Sequence, residues 1–213
     1  MKLKRVATSL ALCLALYLLW SIWNAVLLPR LTPGDGAALL DTLLVKTVIW
    51  AVPCLLLLRG RGRALAVSPL FSPFFPWLAC LVLLCASTAF LHTVRLLNGL
   101  ADTHVLLSPM PFAAALGAGV LEELAFRGYF FNVQSPTLGF WPAAVLNGAM
   151  FTLYHYPGLL FGQSWAQLCS PRALLIFLMG VVFCWMFQKW RNLALNMTVH
   201  TIWDVLSYLF CLS

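Results

Sequence analysis

The stretch GVLEELAFRGY, residues 119 to 129, places Glu122, Glu123 and Arg127 among Val, Leu, Ala, Phe and Tyr. The residues around it form an apolar run from Met110 to Phe131, about the length that crosses a bilayer. Three ionisable side chains at one level of such a run are costly in lipid, so they face the inside of a bundle. The same pattern extends over the chain. Of 213 residues, 62% are hydrophobic and 9% are charged, with a mean hydropathy of +0.93. A soluble domain is nearer half apolar and a quarter charged. An integral membrane protein is therefore expected, and a single domain over 1–213.

Apolar segments of spanning length run approximately over Val6–Leu28, Ala38–Leu58, Phe74–Val94, Met110–Phe131, Phe140–Phe161, Leu174–Phe187 and Leu193–Leu212. The sixth is short, with Pro171 marking its start. An eighth, half-inserted segment is a candidate at Val105–Phe112. The expected fold is all-α, a polytopic transmembrane helical bundle of about seven spans. Residues 1–109 supply N-terminal transmembrane helices and 110–212 the core that carries chemistry. The N-terminal apolar run is longer than a signal-peptide core and reads as an anchor.

The net charge of +7 does not indicate nucleic acid. Lys2, Lys4, Arg5, Arg59, Arg61, Arg63, Lys189 and Arg191 fall at the edges of apolar runs. With a cytoplasmic N-terminus all of them lie inside, which is the arrangement expected of a membrane protein. The seven cysteines, Cys13, Cys54, Cys80, Cys85, Cys169, Cys184 and Cys211, show no C-x-x-C spacing and read as small apolar residues.

The remaining intramembrane polar groups define a constellation. His155 lies in FTLYHYP, His200 and Asp204 in NMTVHTIWDV, and Lys46 on the second segment. Glu123 and Arg127 are four apart and can pair on one helix face, as can His200 and Asp204. Glu122 points about 100° away from Glu123, so the two acids need not share a job. One can be held ionised by Arg127, leaving the other for proton transfer. Helical rise puts Glu122 and His200 at matching depths, but leaves His155 about 10 Å too near the outer side if its helix starts at Phe140. A carboxylate and a His can activate water and protonate a leaving amine. A second His can hold an oxyanion. The same donors could instead bind zinc. A buried structural ion cluster is the bland reading of the acids and Arg127, and snorkelling or helix pairing that of Lys46. Asn196–Thr198 forms a glycosylation sequon inside a span and is discounted.

Taken in order, EELAFRG, FTLYH and HTIWD resemble the CPBP family (CAAX proteases and bacteriocin-processing enzymes, also called ABI), whose pattern is E-E-x-x-x-R, F-x-x-x-H and H-x-x-x-N or D on three transmembrane helices. The resemblance covers Gly117 to Tyr208. It implies an intramembrane endopeptidase of the glutamic type, working without a metal. It implies that Glu122 and His155 activate water, that Glu123 and Arg127 support, and that His200 and Asp204 form the oxyanion side. Asp204 stands where Asn is common, and an ionised Asp donates no hydrogen bond. The implied partners are a membrane protein or peptide substrate and the lipid bilayer, with no nucleic acid. The expected location is a prokaryotic plasma membrane. Bacteriocin self-immunity by binding, a proton relay, and a zinc-dependent form of the same protease are the alternatives.

Overall fold

A computed structural model describes residues 2–30, 44–59, 79 and 109–209. Most of the third expected span and of the half-inserted segment lies outside the described residues. Every regular element among the described residues is helical. Helix α1 spans Lys2–Ile22 and continues through π-helical Trp23–Leu27 and a 3-10 turn, Leu28–Arg30. The second helix runs through π-helical Thr47–Ala51 into α2, Val52–Arg59. Residues 44–46 are also helical.

The fourth expected span differs most from its sequence reading. Helix α3, Pro109–Glu123, passes without a break through π-helical Leu124–Phe131 into α4, Asn132–Leu138. The apolar run ends at Phe131, but the helix does not. Buried amides at Asn132 and Gln134 and the internal Pro136 disguise two further turns. The chain then reverses at Gly139, whose φ of 79° suits a residue without Cβ. Helix α5, Phe140–Tyr154, returns antiparallel to it, with Phe126 packed edge-on against Phe151 and Tyr154.

This hairpin resolves the depth conflict at His155. Glu122 lies seventeen residues before Gly139 and His155 sixteen after it, so the two stand level. The conflict arose from ending the fourth span two turns early. The fifth span is likewise shorter than expected: α5 ends at Tyr154, and Pro157–Phe161 is a 3-10 turn.

Helix α6, Pro171–Trp190, is longer than the Leu174–Phe187 expected. Pro171 does start it, with Ser170 Oγ accepting from Ala173 N at 3.1 Å. Its end is set at Arg191, which adopts a left-handed φ of 49°. Helix α7, Leu193–Leu209, follows.

Close helix crossings are made by small residues, as is usual between helices in lipid. A Cβ on Gly180 of α6 would lie 2.8 Å from Gly148 Cα of α5, and one on Gly119 of α3 would lie 2.7 Å from Thr201 N of α7. These two contacts bring α5 against α6 and α3 against α7.

Polar groups turn inward and apolar ones outward. Among the described residues, Leu3–Arg30 and Pro171–Trp190 are long and apolar enough to cross a membrane. Leu174, Leu178, Val182 and Trp185 form an exposed apolar stripe along α6. Glu122, Glu123, Arg127, Asn147, Asn196 and His200 are buried. A soluble bundle has the reverse arrangement.

Candidate active site

Glu122 and Glu123 are the last residues of α3, directly before the π-helical stretch. Stretches of this kind are frequent where function distorts a helix. The two carboxylates take separate partners. Glu123 Oε1 accepts from Arg127 Nη1 at 2.6 Å, and His200 Nδ1 lies 3.0 Å from the same oxygen. Its other oxygen accepts from Asn196 Nδ2 at 3.2 Å.

Arg127 is fully buried. Besides Glu123, its Nη2 donates to Gly180 O at 3.1 Å. The guanidinium carbon lies 4.5 Å from the ring centre of Phe151 and 5.1 Å from that of Phe183. An ion pair and two aromatic faces hold this cation where water is excluded.

Glu122 is paired from another part of the chain. Lys46 Nζ lies 2.8 Å from Glu122 Oε1. The ammonium does not snorkel outward, as the sequence allowed. It points into the bundle, 5.5 Å and 5.2 Å from the ring centres of Trp20 and Trp50. Glu122 Oε2 is buried without a hydrogen-bond partner. His200 Nε2 is 3.9 Å away from it. A buried orphan oxygen is costly unless something completes it.

The two histidines are held through opposite kinds of partner. His155 caps the C-terminus of α5, and its Nδ1 is 2.8 Å from Phe151 O. A carbonyl only accepts, so Nδ1 carries the proton and Nε2 is the acceptor of the neutral ring. For His200, the carboxylate of Glu123 takes Nδ1. Its Nε2 then faces Glu122 and Asp204, with Asp204 Oδ2 at 3.7 Å. The Phe151 ring stands against both imidazoles, 4.7 Å from His155 and 5.8 Å from His200 between centres.

Lys46, Glu122, His155 and Asp204 all line one cavity of about 630 Å³. The structure thus brings all six residues singled out in the sequence to one centre, in two layers. Glu122, His155 and Asp204 border the cavity. Glu123 and Arg127 lie behind it, with His200 between the layers. Glu123 binds Arg127, His200 and Asn196, and Arg127 binds Glu123 and the Gly180 carbonyl. Asn196 is a site residue that sequence reasoning passed over, and Lys46 is one that it read as a snorkelling or helix-pairing residue. The signal for Asn196 is its place one turn before His200 on the same helix face. That for Lys46 is a lone cation within an apolar run.

Among the described residues, no three His, Cys, Asp or Glu side chains converge as a metal would require.

Residues 104–206, just under half of the chain, match the family model of the Rce1-like type II CAAX prenyl endopeptidases. This segment is similar to the Rce1-like family. That family consists of membrane-embedded proteases, in keeping with the apolar exterior of α1 and α6. No curated protein matches the chain. The Rce1-like segment contains Glu122, Glu123, Arg127, His155, His200 and Asp204, and it excludes Lys46, Trp20 and Trp50.

Proposed function

We propose that this protein is an intramembrane endopeptidase that hydrolyses a peptide bond of a membrane-associated protein or peptide with water activated by Glu122 and His155. The observation that carries the reading is the cavity in which Glu122, with an unpartnered oxygen, and His155, with Nε2 as acceptor, stand level. Glu122 Oε2 takes a proton from water as the oxygen adds to the scissile carbonyl. His155 Nε2 orients that water. His200 acts as the imidazolium, protonated on both ring nitrogens: Nδ1 donates to Glu123, and Nε2 donates to the oxyanion. The proton on Glu122 then passes to the leaving amine, and no covalent enzyme intermediate forms. Glu123 and Arg127 act by fixing His200. Asp204 orients the other side of the same ring.

No metal takes part in this scheme. The choice is supported by the absence, among the described residues, of three converging His, Cys, Asp or Glu side chains. The chain is read as multi-pass, with its N-terminus in the cytoplasm, from the distribution of Lys and Arg.

The deciding experiment compares new peptide ends in membranes from cells carrying wild-type protein and Glu122→Ala. Ends present only with the wild type establish proteolysis and name both substrate and cut site. Equal sets of ends, with both proteins folded and abundant, overturn the reading and favour binding or proton relay.

A further inference from the structure

The Rce1-like segment accounts for the partner of one motif glutamate only. Glu123 has Arg127, four residues away in the same motif. Glu122, the acid that borders the cavity, takes its cation from residue 46, outside that segment. We propose that Lys46 is a positioning residue for Glu122, so that the N-terminal part of the chain completes the active site. The inference rests on the hydrolytic reading above.

Three observations carry it. First, the contact is monodentate: Lys46 Nζ engages Oε1, and Oε2 has no hydrogen-bond partner. A carboxylate can rotate about its last side-chain bond and present either oxygen. Fixing Oε1 leaves a single oxygen for the reaction.

Second, Lys46 is itself fixed. A lysine side chain carries considerable rotamer freedom. Here the ammonium sits over two indoles, and these are locked to one another and to the catalytic hairpin. Trp20 and Trp50 pack edge-on with centres 4.8 Å apart. Trp50 packs against Tyr154 at 4.9 Å, and Trp20 Nε1 donates to Tyr154 O at 3.2 Å. Tyr154 immediately precedes His155. The cage that places Lys46 therefore also holds the end of α5 that places the second catalytic group.

Third, the location is functional rather than merely cohesive. Lys46 lines the same cavity as Glu122, His155 and Asp204. A cation serving only to join two helices has no need to reach the reaction space.

The test uses the full chain in its membrane, with Lys46→Met and Lys46→Arg beside wild type and Glu122→Ala. The rate at which wild-type-dependent peptide ends appear should fall about 10²-fold in Lys46→Met. Lys46→Arg, which keeps the charge, should recover most of that rate and also shows that the position tolerates exchange. Labelling of Glu122 by dicyclohexylcarbodiimide, located by mass spectrometry, reads the carboxyl directly and needs no substrate. It should rise several-fold in Lys46→Met and stay near wild type in Lys46→Arg. A wild-type rate in Lys46→Met, or equal labelling in all proteins carrying Glu122, overturns the proposal. If labelling depends on Lys46 but no protein generates new ends, the hydrolytic reading falls, and with it the catalytic consequence of the contact.

Discussion

His200 Nδ1 lies 3.0 Å from Glu123 Oε1, although 77 residues separate them in sequence. That oxygen also carries the ion pair with Arg127, so a buried carboxylate joins α3 to α7 and turns the imidazole towards Glu122. Replacing it with an amide leaves Arg127 without its counter-charge. Glu123→Gln should destabilise the fold by about 3–5 kcal/mol, the usual cost of breaking a buried pair from one side. Adding Arg127→Met should recover much of that stability but none of the hydrolysis, because His200 stays unheld. Thermal unfolding in detergent, alongside cleavage, checks both halves.

His155 presents the opposite balance. It is exposed to the cavity, and its ring hydrogen-bonds to the local carbonyl of Phe151. His155→Ala should therefore leave stability within about 1 kcal/mol of wild type, as for other substitutions away from packed features. Cleavage should drop by about 10²–10⁴-fold if the ring orients water. Unaltered cleavage with intact folding would remove His155 from the mechanism.

Asp204 separates two roles for its position. Its carboxylate is 3.7 Å from His200 Nε2, beyond a good hydrogen bond. An Asn there can donate to an oxyanion as well as accept. Asp204→Asn should keep cleavage within about tenfold of wild type, and Asp204→Leu should lose about 10²-fold. An equal collapse in both would mean that the negative charge itself is required.

The Gly148–Gly180 crossing links packing to chemistry. A methyl group on Gly180 meets Gly148 Cα at 2.8 Å, and backbone cannot rotate away as a side chain can. Gly180→Ala should cost about 1–3 kcal/mol through overpacking. It should lower cleavage too, because the Gly180 carbonyl that would shift accepts from Arg127. Melting temperature and rate should fall together.

Metal removal gives a separate check. Prolonged treatment with 1,10-phenanthroline should leave the rate of peptide-end formation unchanged, since the proposed scheme activates water through Glu122 and His155 alone. Inhibition that added Zn²⁺ reverses would reinstate the zinc-dependent alternative.

Much of the site was legible because lipid penalises charge. Glu122, Glu123, Arg127, His155 and His200 stood out against apolar runs, and the i, i+4 spacing paired Glu123 with Arg127 correctly. Helix ends were less legible. Hydropathy marks where a segment turns polar, not where its backbone stops. Asn132 and Gln134 are polar yet buried within the bundle, so they hid the continuation to Leu138. Partner assignment failed for Glu122 for a different reason. Spacing rules describe one helix, whereas its cation arrives from another, 76 residues away. Nor did spacing reveal the π-helical winding after Glu123, which depends on how the aromatic side chains of that stretch pack rather than on their order.

The turn at Gly139 has a consequence for how this protein can vary in length. Because Glu122 and His155 are nearly equidistant from it, their alignment behaves like two marks on a folded ruler. One residue inserted into either arm slides one mark past the other by about 1.5 Å and swings it through about 100°. A deletion does the same in the other direction. The distance from each mark to the fold is thus constrained as tightly as the identity of the acid and the histidine, even though the residues in between touch no reacting atom.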